Sequence, residues 1–189
     1  MNLGLTTSFI VGGILLVAIL SMNMSLSGSS TELTITQTTR EKATGIQQLL
    51  SHDIQKMGYN RKDKTDSILV EADSNKIEFL SNINDDSSVE LVTWEFTSNE
   101  LNNTENPNDY VLMRRIEHLD TGAIEETPIR LGVTNFNIKY LNKYGDLISN
   151  HMSTPLSSSQ LGEVKQLYIQ LELQSPEKVY QRSGSEGRY

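Results

Sequence analysis

The hydrophobic pattern divides the chain into three stretches. Across residues 3–24 no side chain is charged, and residues 9–20, FIVGGILLVAIL, are apolar without interruption. A helix of about 20 residues spans a hydrocarbon core of about 30 Å, so residues 1–24 read as one transmembrane helix once the polar flanks are included. The same twelve-residue run also suits the core of a cleaved signal peptide, with Ser25-Leu26-Ser27 before Gly28 as a small-x-small cleavage site. Against a signal peptide, the leader MNLGLTTS has no Lys or Arg.

Residues 25–60 read as an extension of that helix, jointed near 25–31, where SLSGSST is polar and small. Ser29 and Glu32 have the spacing of a capping box, at which a helix would restart. The stretch LTITQTT that follows is rich in β-branched residues and is a reluctant helix former. Next, Ala43, Ile46, Leu50, Ile54 and Met57 recur at spacings of three and four, which makes one apolar helical face. Gly58 supplies the stop.

Beyond residue 66 the period becomes two. Strands are expected at 67–72, 76–81, 88–97, 110–116, 133–141 and 165–173, with polar connections at 82–88, 99–109, 120–127 and 142–146. Val92, Trp94 and Phe96 share one strand face, as do Leu167, Ile169, Leu171 and Leu173. Alternation of this kind describes half-buried antiparallel strands whose apolar face needs a cover, and the face ending at Met57 provides it. The fold class is therefore α+β: a long N-terminal transmembrane and amphipathic helix packed on an antiparallel β-sheet, with the β-rich domain at 61–180. Residues 149–162 read as a loop and 181–189 as a frayed tail.

Charge and composition narrow the function classes. The 16 basic and 24 acidic residues give a formal net charge of −8, which argues against a nucleic-acid partner. With no cysteine, disulfides, thiolate metal sites and a cysteine nucleophile are excluded. All the Lys and Arg lie after the apolar run; read literally, this puts the C-terminal side in the cytoplasm, but long domains are translocated largely regardless of charge.

In LLSHDIQKMGYN, Leu50, Asp53, Ile54, Gly58 and Tyr59 stand in the order Leu-x-x-Asp-Ile-x-x-x-Gly-Tyr. Downstream come Lys76-Ile77-Glu78-Phe79, then Val92-Thr93-Trp94-Glu95-Phe96, Tyr110-Val111-Leu112-Met113-Arg114-Arg115, and residues 133–140 with Gly145 after them. Over roughly residues 1–173 this order resembles the minor pilins and pseudopilins, in particular the J-type pseudopilins of type II secretion and the W-type minor pilins of type IV pili. The resemblance implies a structural filament subunit, held in the bacterial inner membrane by one helix with its globular domain extracytoplasmic, in an extracellular or periplasmic filament. Its partners would be the membrane and other pilin-like subunits, met through an assembly face of Phe9, Ile10, Ile14, Leu15, Val17, Ala18, Ala43, Ile46 and Leu50. Gly4-Leu5 is the candidate prepilin junction. The leader MNLG departs from the family in having no Lys, and Phe9 stands where the family carries a Glu. Some subunits placed at a filament tip lack that Glu, since they need not match a subunit above them. The alternative is a membrane-tethered or secreted extracytoplasmic binding domain acting alone.

Candidate chemistry is sparse, and no catalytic residue, cofactor or metal centre is expected. His52, His118 and His151 read as surface histidines, although His118 and Asp120 are spaced to share one side of a strand. A hydrolase would need His118 or His151 beside a nucleophile. Asn84, Asp85 and Asp86 form an acidic loop with Ca²⁺-type oxygen ligands but without the alternation of an EF-hand. Serines 157–159 lack a nucleophile-elbow context, Gly12-Gly13 is not followed by the Lys of a phosphate loop, and Trp94 reads as core. Arg114, Arg115 and Glu117 read as a solvated strand face.

Overall fold

A computed structural model describes residues 3–60, 67–86, 88–100, 104–148, 154–176 and 178. The chain opens with one α-helix, α1 (Leu3–Gln55), of 53 residues. At 1.5 Å per residue it is about 80 Å long. Residues 25–31, where the sequence leaves room for a joint, belong to the same unbroken helix. No proline interrupts the helix, and the threonines that make the stretch reluctant satisfy their hydroxyls on the backbone one turn earlier. Thr31, Thr34 and Thr38 donate to the carbonyls of Ser27, Ser30 and Thr34 at 2.9–3.0 Å. The helix ends where expected: Gly58 adopts φ +74° and donates its N–H to the Leu80 carbonyl. A side chain at Gly58 would be driven against Ile68.

Six strands follow, β1 (Leu69–Ala72), β2 (Lys76–Ser81), β3 (Glu90–Glu100), β4 (Tyr110–His118), β5 (Ile124–Leu141) and β6 (Gln166–Leu173). They form one curled antiparallel sheet in which chain order is also sheet order. The fold is α+β, with α1 lying on the sheet by its C-terminal part.

Two connections differ from the sequence expectation. Residues 120–127 are not a polar loop: the turn closes by Ala123 and β5 begins at Ile124. The first part of β5 lacks alternation because most of it is exposed; pairing with β4, from Ile124 opposite Glu117 to Ile129 opposite Leu112, holds it in the sheet. β6 joins β5 only from Val133 onward, so among the described residues Pro128 has a strand neighbour on one side of β5 alone and its missing N–H interrupts no second ladder. Gly132, at φ +86°, marks the change of partner, and a Cβ there would collide with the Gln174 carbonyl oxygen. The second difference is a short helix, α2 (Ser158–Leu161), within the stretch read as a loop. Residues 149–153 of that loop and the tail at 181–189 lie outside the described residues.

The core follows the cross-strand register. Ile77 faces Trp94, Phe79 faces Val92, Val92 faces Ile116 and Leu112 faces Ile129. Toward the far edge Phe136 faces Leu171 and Ile138 faces Ile169. Ile46 and Leu50 of α1 are buried over this layer, with Leu49, Ile54 and Met57 at its margin.

Candidate functional site

One buried ion pair fastens α1 to the sheet. Asp53 falls on the apolar stripe three residues after Leu50, so the packing of that stripe carries its carboxylate inward, and the residue is fully buried. The β3–β4 register sets Trp94 opposite Arg114, and both converge on it. Trp94 Nε1 donates to Oδ2 at 3.0 Å, while Arg114 donates from Nε to Oδ2 at 2.6 Å and from Nη2 to Oδ1 at 2.9 Å. His52 Nδ1 lies 3.2 Å from Oδ1 on the exposed side. A two-point guanidinium–carboxylate pair fixes orientation as well as distance, so α1 is held in rotation and in translation against β3 and β4. Arg114 is therefore not part of a solvated face, and sequence reasoning missed it. The available signal was an Asp in phase with an apolar helical stripe.

Above this fastening the helix is bare. Every residue at 4–34 is exposed, including Phe9 at 75% and Ile14 at 66%. By length and composition α1 is able to cross a membrane. An apolar surface that covers all sides of a helix does not stay in water and requires lipid or other apolar helices around it. Of the expected assembly residues, Phe9, Ile10, Ile14, Leu15, Val17 and Ala18 belong to this bare segment, and Ala43 is half-buried. Ile46 and Leu50 are spent on the chain's own core. Gly4 and Leu5 occupy the first turn of the described helix, and Leu5 and Phe9 stand one turn apart on the same side.

The remaining polar candidates are engaged within the chain. The ring nitrogens of His118 stand 3.5 Å from Glu90 Oε1 and from Glu125 Oε1, while Asp120 falls in the turn after β4. Glu90 is fully buried; it accepts the Ile83 N–H at 2.9 Å and the Ser88 hydroxyl at 3.0 Å, and so anchors the 82–88 loop. In that loop the Asp85 carboxylate pairs with Lys56 Nζ at 2.8 Å. Asp86 Oδ1 accepts the Ser88 N–H and hydroxyl, both at 2.7 Å, and these bonds hold its pKa below the ordinary carboxylate value. Among the described residues no three His, Asp or Glu side chains are arranged to hold a metal ion. Ser157 hydrogen-bonds Gln160 at the start of α2. His151 lies outside the described residues.

Asp109, between β3 and β4, contrasts with Asp53. It is buried, and among the described residues no cationic side chain pairs with its carboxylate, which has only the Thr104 hydroxyl and the Gly132 N–H near it. Burial raises its pKa, opposed by the Thr104 hydroxyl, the Gly132 N–H and the more distant Lys42 ammonium. Beside it, Asn106 ties the same loop to the end of β6 by donating to Gln174 Oε1 at 3.2 Å and to the Ser175 carbonyl at 3.1 Å.

No protein-family model and no curated protein sequence matches the chain.

Proposed function

We propose that this chain is a structural subunit of a pilin-like filament, a minor pilin or pseudopilin of a type IV pilus or a type II secretion-like machine. It sits in a bacterial inner membrane by a single helix, holds its β domain on the extracytoplasmic side, and assembles side by side with other pilin-like helices through residues 4–34. The observation that carries this is the division of α1: one unbroken helix, bare and apolar over its first half and fastened to its own sheet by Asp53 and Arg114 over its second. Such a part transmits position from a membrane or a helical bundle to a rigid external domain, and it needs no turnover. Phe9 in place of the family's Glu suits a subunit with no neighbour's terminal amine to neutralise, as at a filament tip.

The absence of cysteine makes a direct test clean. Single cysteines at Phe9, Ile14, Leu15 and Val17, oxidised in native membranes in cells whose pilin-like subunits carry matching cysteines, are expected to cross-link to them with helical periodicity. A chain that stays uncross-linked at all four positions, and is monomeric in detergent, would instead be a tethered domain acting alone. Intact mass from washed membranes adds the processing state: loss of Met1–Gly4 identifies cleavage at Gly4-Leu5, whereas a soluble form starting near Gly28 removes the filament reading altogether.

A further inference from the structure

The two edges of the sheet are finished differently. β1 is four residues long, its register with β2 shifts, and the Leu156 N–H caps the Ala72 carbonyl at 2.9 Å. That is a blunted edge. β6 is eight residues long, QLYIQLEL, with no proline or lysine and a single charge, Glu172. Among the described residues nothing pairs with its outer side. Its inward side chains Leu167, Ile169, Leu171 and Leu173 are only half-buried.

Beneath that edge the cover is incomplete. Two cavities of about 410 and 370 Å³ lie end to end between α1 and β6, sharing Ala43 and Leu171 as walls. Leu50 and Ile54 close one end and Ile35 the other, and no residue of β1–β5 lines either cavity. Among the described residues, only α1, β6 and the two residues after β6 wall this groove. A seventh strand beside β6 would satisfy its free backbone groups and drop alternate side chains into the two cavities, the geometry of β-strand addition.

A second copy of this chain does not fit. Antiparallel β6–β6 pairing that keeps both apolar faces on one side is a two-fold rotation about the sheet normal. It reverses α1, so the two bare helices would point in opposite directions and could not enter one membrane. Pairing of β6 with the β1 edge of a next copy meets the Leu156 cap. We propose that the α1/β6 groove receives an extended segment of a different protein, with Leu-, Ile- or Val-sized side chains at alternate positions toward α1 and polar ones opposite Tyr168, Gln170 and Glu172. This rests on α1 lying in a membrane and not on the filament assignment, and the two fail separately.

The test uses the full chain in detergent micelles. The probe is a synthetic nonapeptide of alternating leucine and threonine flanked by lysines, compared with an N-methylated twin and a same-composition peptide reordered to form an amphipathic helix. Hydrogen exchange at the β6 amides is expected to slow at least tenfold with the alternating peptide and to be unchanged by its N-methylated twin. Ala43→Phe, which fills the wall shared by both cavities, should weaken binding at least tenfold while leaving the unfolding midpoint in place. The proposal is overturned if β6 exchange ignores the alternating peptide at millimolar concentration, or if the N-methylated twin binds equally. Stronger binding of the helical peptide would make the occupant a helix, and β6 protection by self-association would make it a second copy; either also overturns it.

Discussion

The two halves of α1 share a backbone and differ in everything around it. Over residues 4–24 apolar side chains point in all directions, and among the described residues nothing covers them. From Lys42 to Asp53 burial returns every three or four residues, at Ile46, Leu50 and Asp53, and the opposite side is threonine, glutamine and histidine. A helix with one apolar stripe specifies its neighbour and its own rotation. A helix that is apolar all round specifies a medium and leaves the choice of neighbour to small differences in shape. The first half is therefore adaptable in its contacts, and the second is not.

That contrast breaks most sharply at Asp53. Replacing it by alanine leaves the part-buried Arg114 without its carboxylate partner, and the expected loss is about 2–4 kcal/mol, read from urea unfolding of the full chain in micelles followed by Trp94 fluorescence. The double replacement Asp53→Leu with Arg114→Met should recover most of that loss. A cost below about 1 kcal/mol for Asp53→Ala would mean that the ion pair is not what fastens the helix.

The converse change belongs in the bare half. Val17→Asp should leave unfolding of the β domain within about 0.5 kcal/mol of the parent. It should weaken membrane insertion by about 2.5–3.5 kcal/mol, the insertion-scale cost of a carboxylate at mid-membrane, visible as a shift of the chain out of the carbonate-resistant membrane fraction. Destabilisation of the domain by Val17→Asp would show that the halves are not independent.

The smallest effect sharpens a second contrast, between a paired and an unpaired buried carboxylate. The pKa of Asp109 is raised in the folded state, so the native chain holds its proton more tightly than the unfolded one. Its contribution to stability is consequently best below its ordinary value of 3.8 and declines as pH rises through the elevated one. Asp109→Asn removes that decline. Relative to the parent, the variant should gain stability between pH 4 and pH 7, measured by paired urea titrations. A difference independent of pH would mean that Asp109 is solvated in the native state.

Much of this architecture was legible from pattern alone, and the exceptions share a cause. The spacing of Ala43, Ile46, Leu50, Ile54 and Met57 gave the helical face, alternation gave β2, β3 and β6, and Gly58 gave the stop. Patterns of this kind report which side of an element is buried. They do not report which polar group meets another across 61 residues of chain, and so Asp53 stands only in the order that ends the helix and Arg114 only in a solvated strand face. The start of β5 was missed because it is exposed and borrows its conformation from β4, leaving no alternation to detect. The continuity of α1 through residues 25–39 was obscured by β-branched residues whose backbone hydrogen bonds are invisible in a propensity scale.

The unbroken course of α1 couples two quantities that a jointed arm would keep separate. In a straight helix each residue adds 1.5 Å of height and about 100° of turn, so the distance of the sheet from the apolar segment and the compass direction in which the β6 edge looks are set together. A single residue inserted between Ser27 and Arg40 would swing that edge through more than a quarter circle while scarcely lifting it. Seven would raise it by about 10 Å and return it to within about 20° of its original bearing. The sequence between the apolar segment and the domain thus acts as a screw thread, in which residue count, more than residue identity, determines what the β6 edge faces.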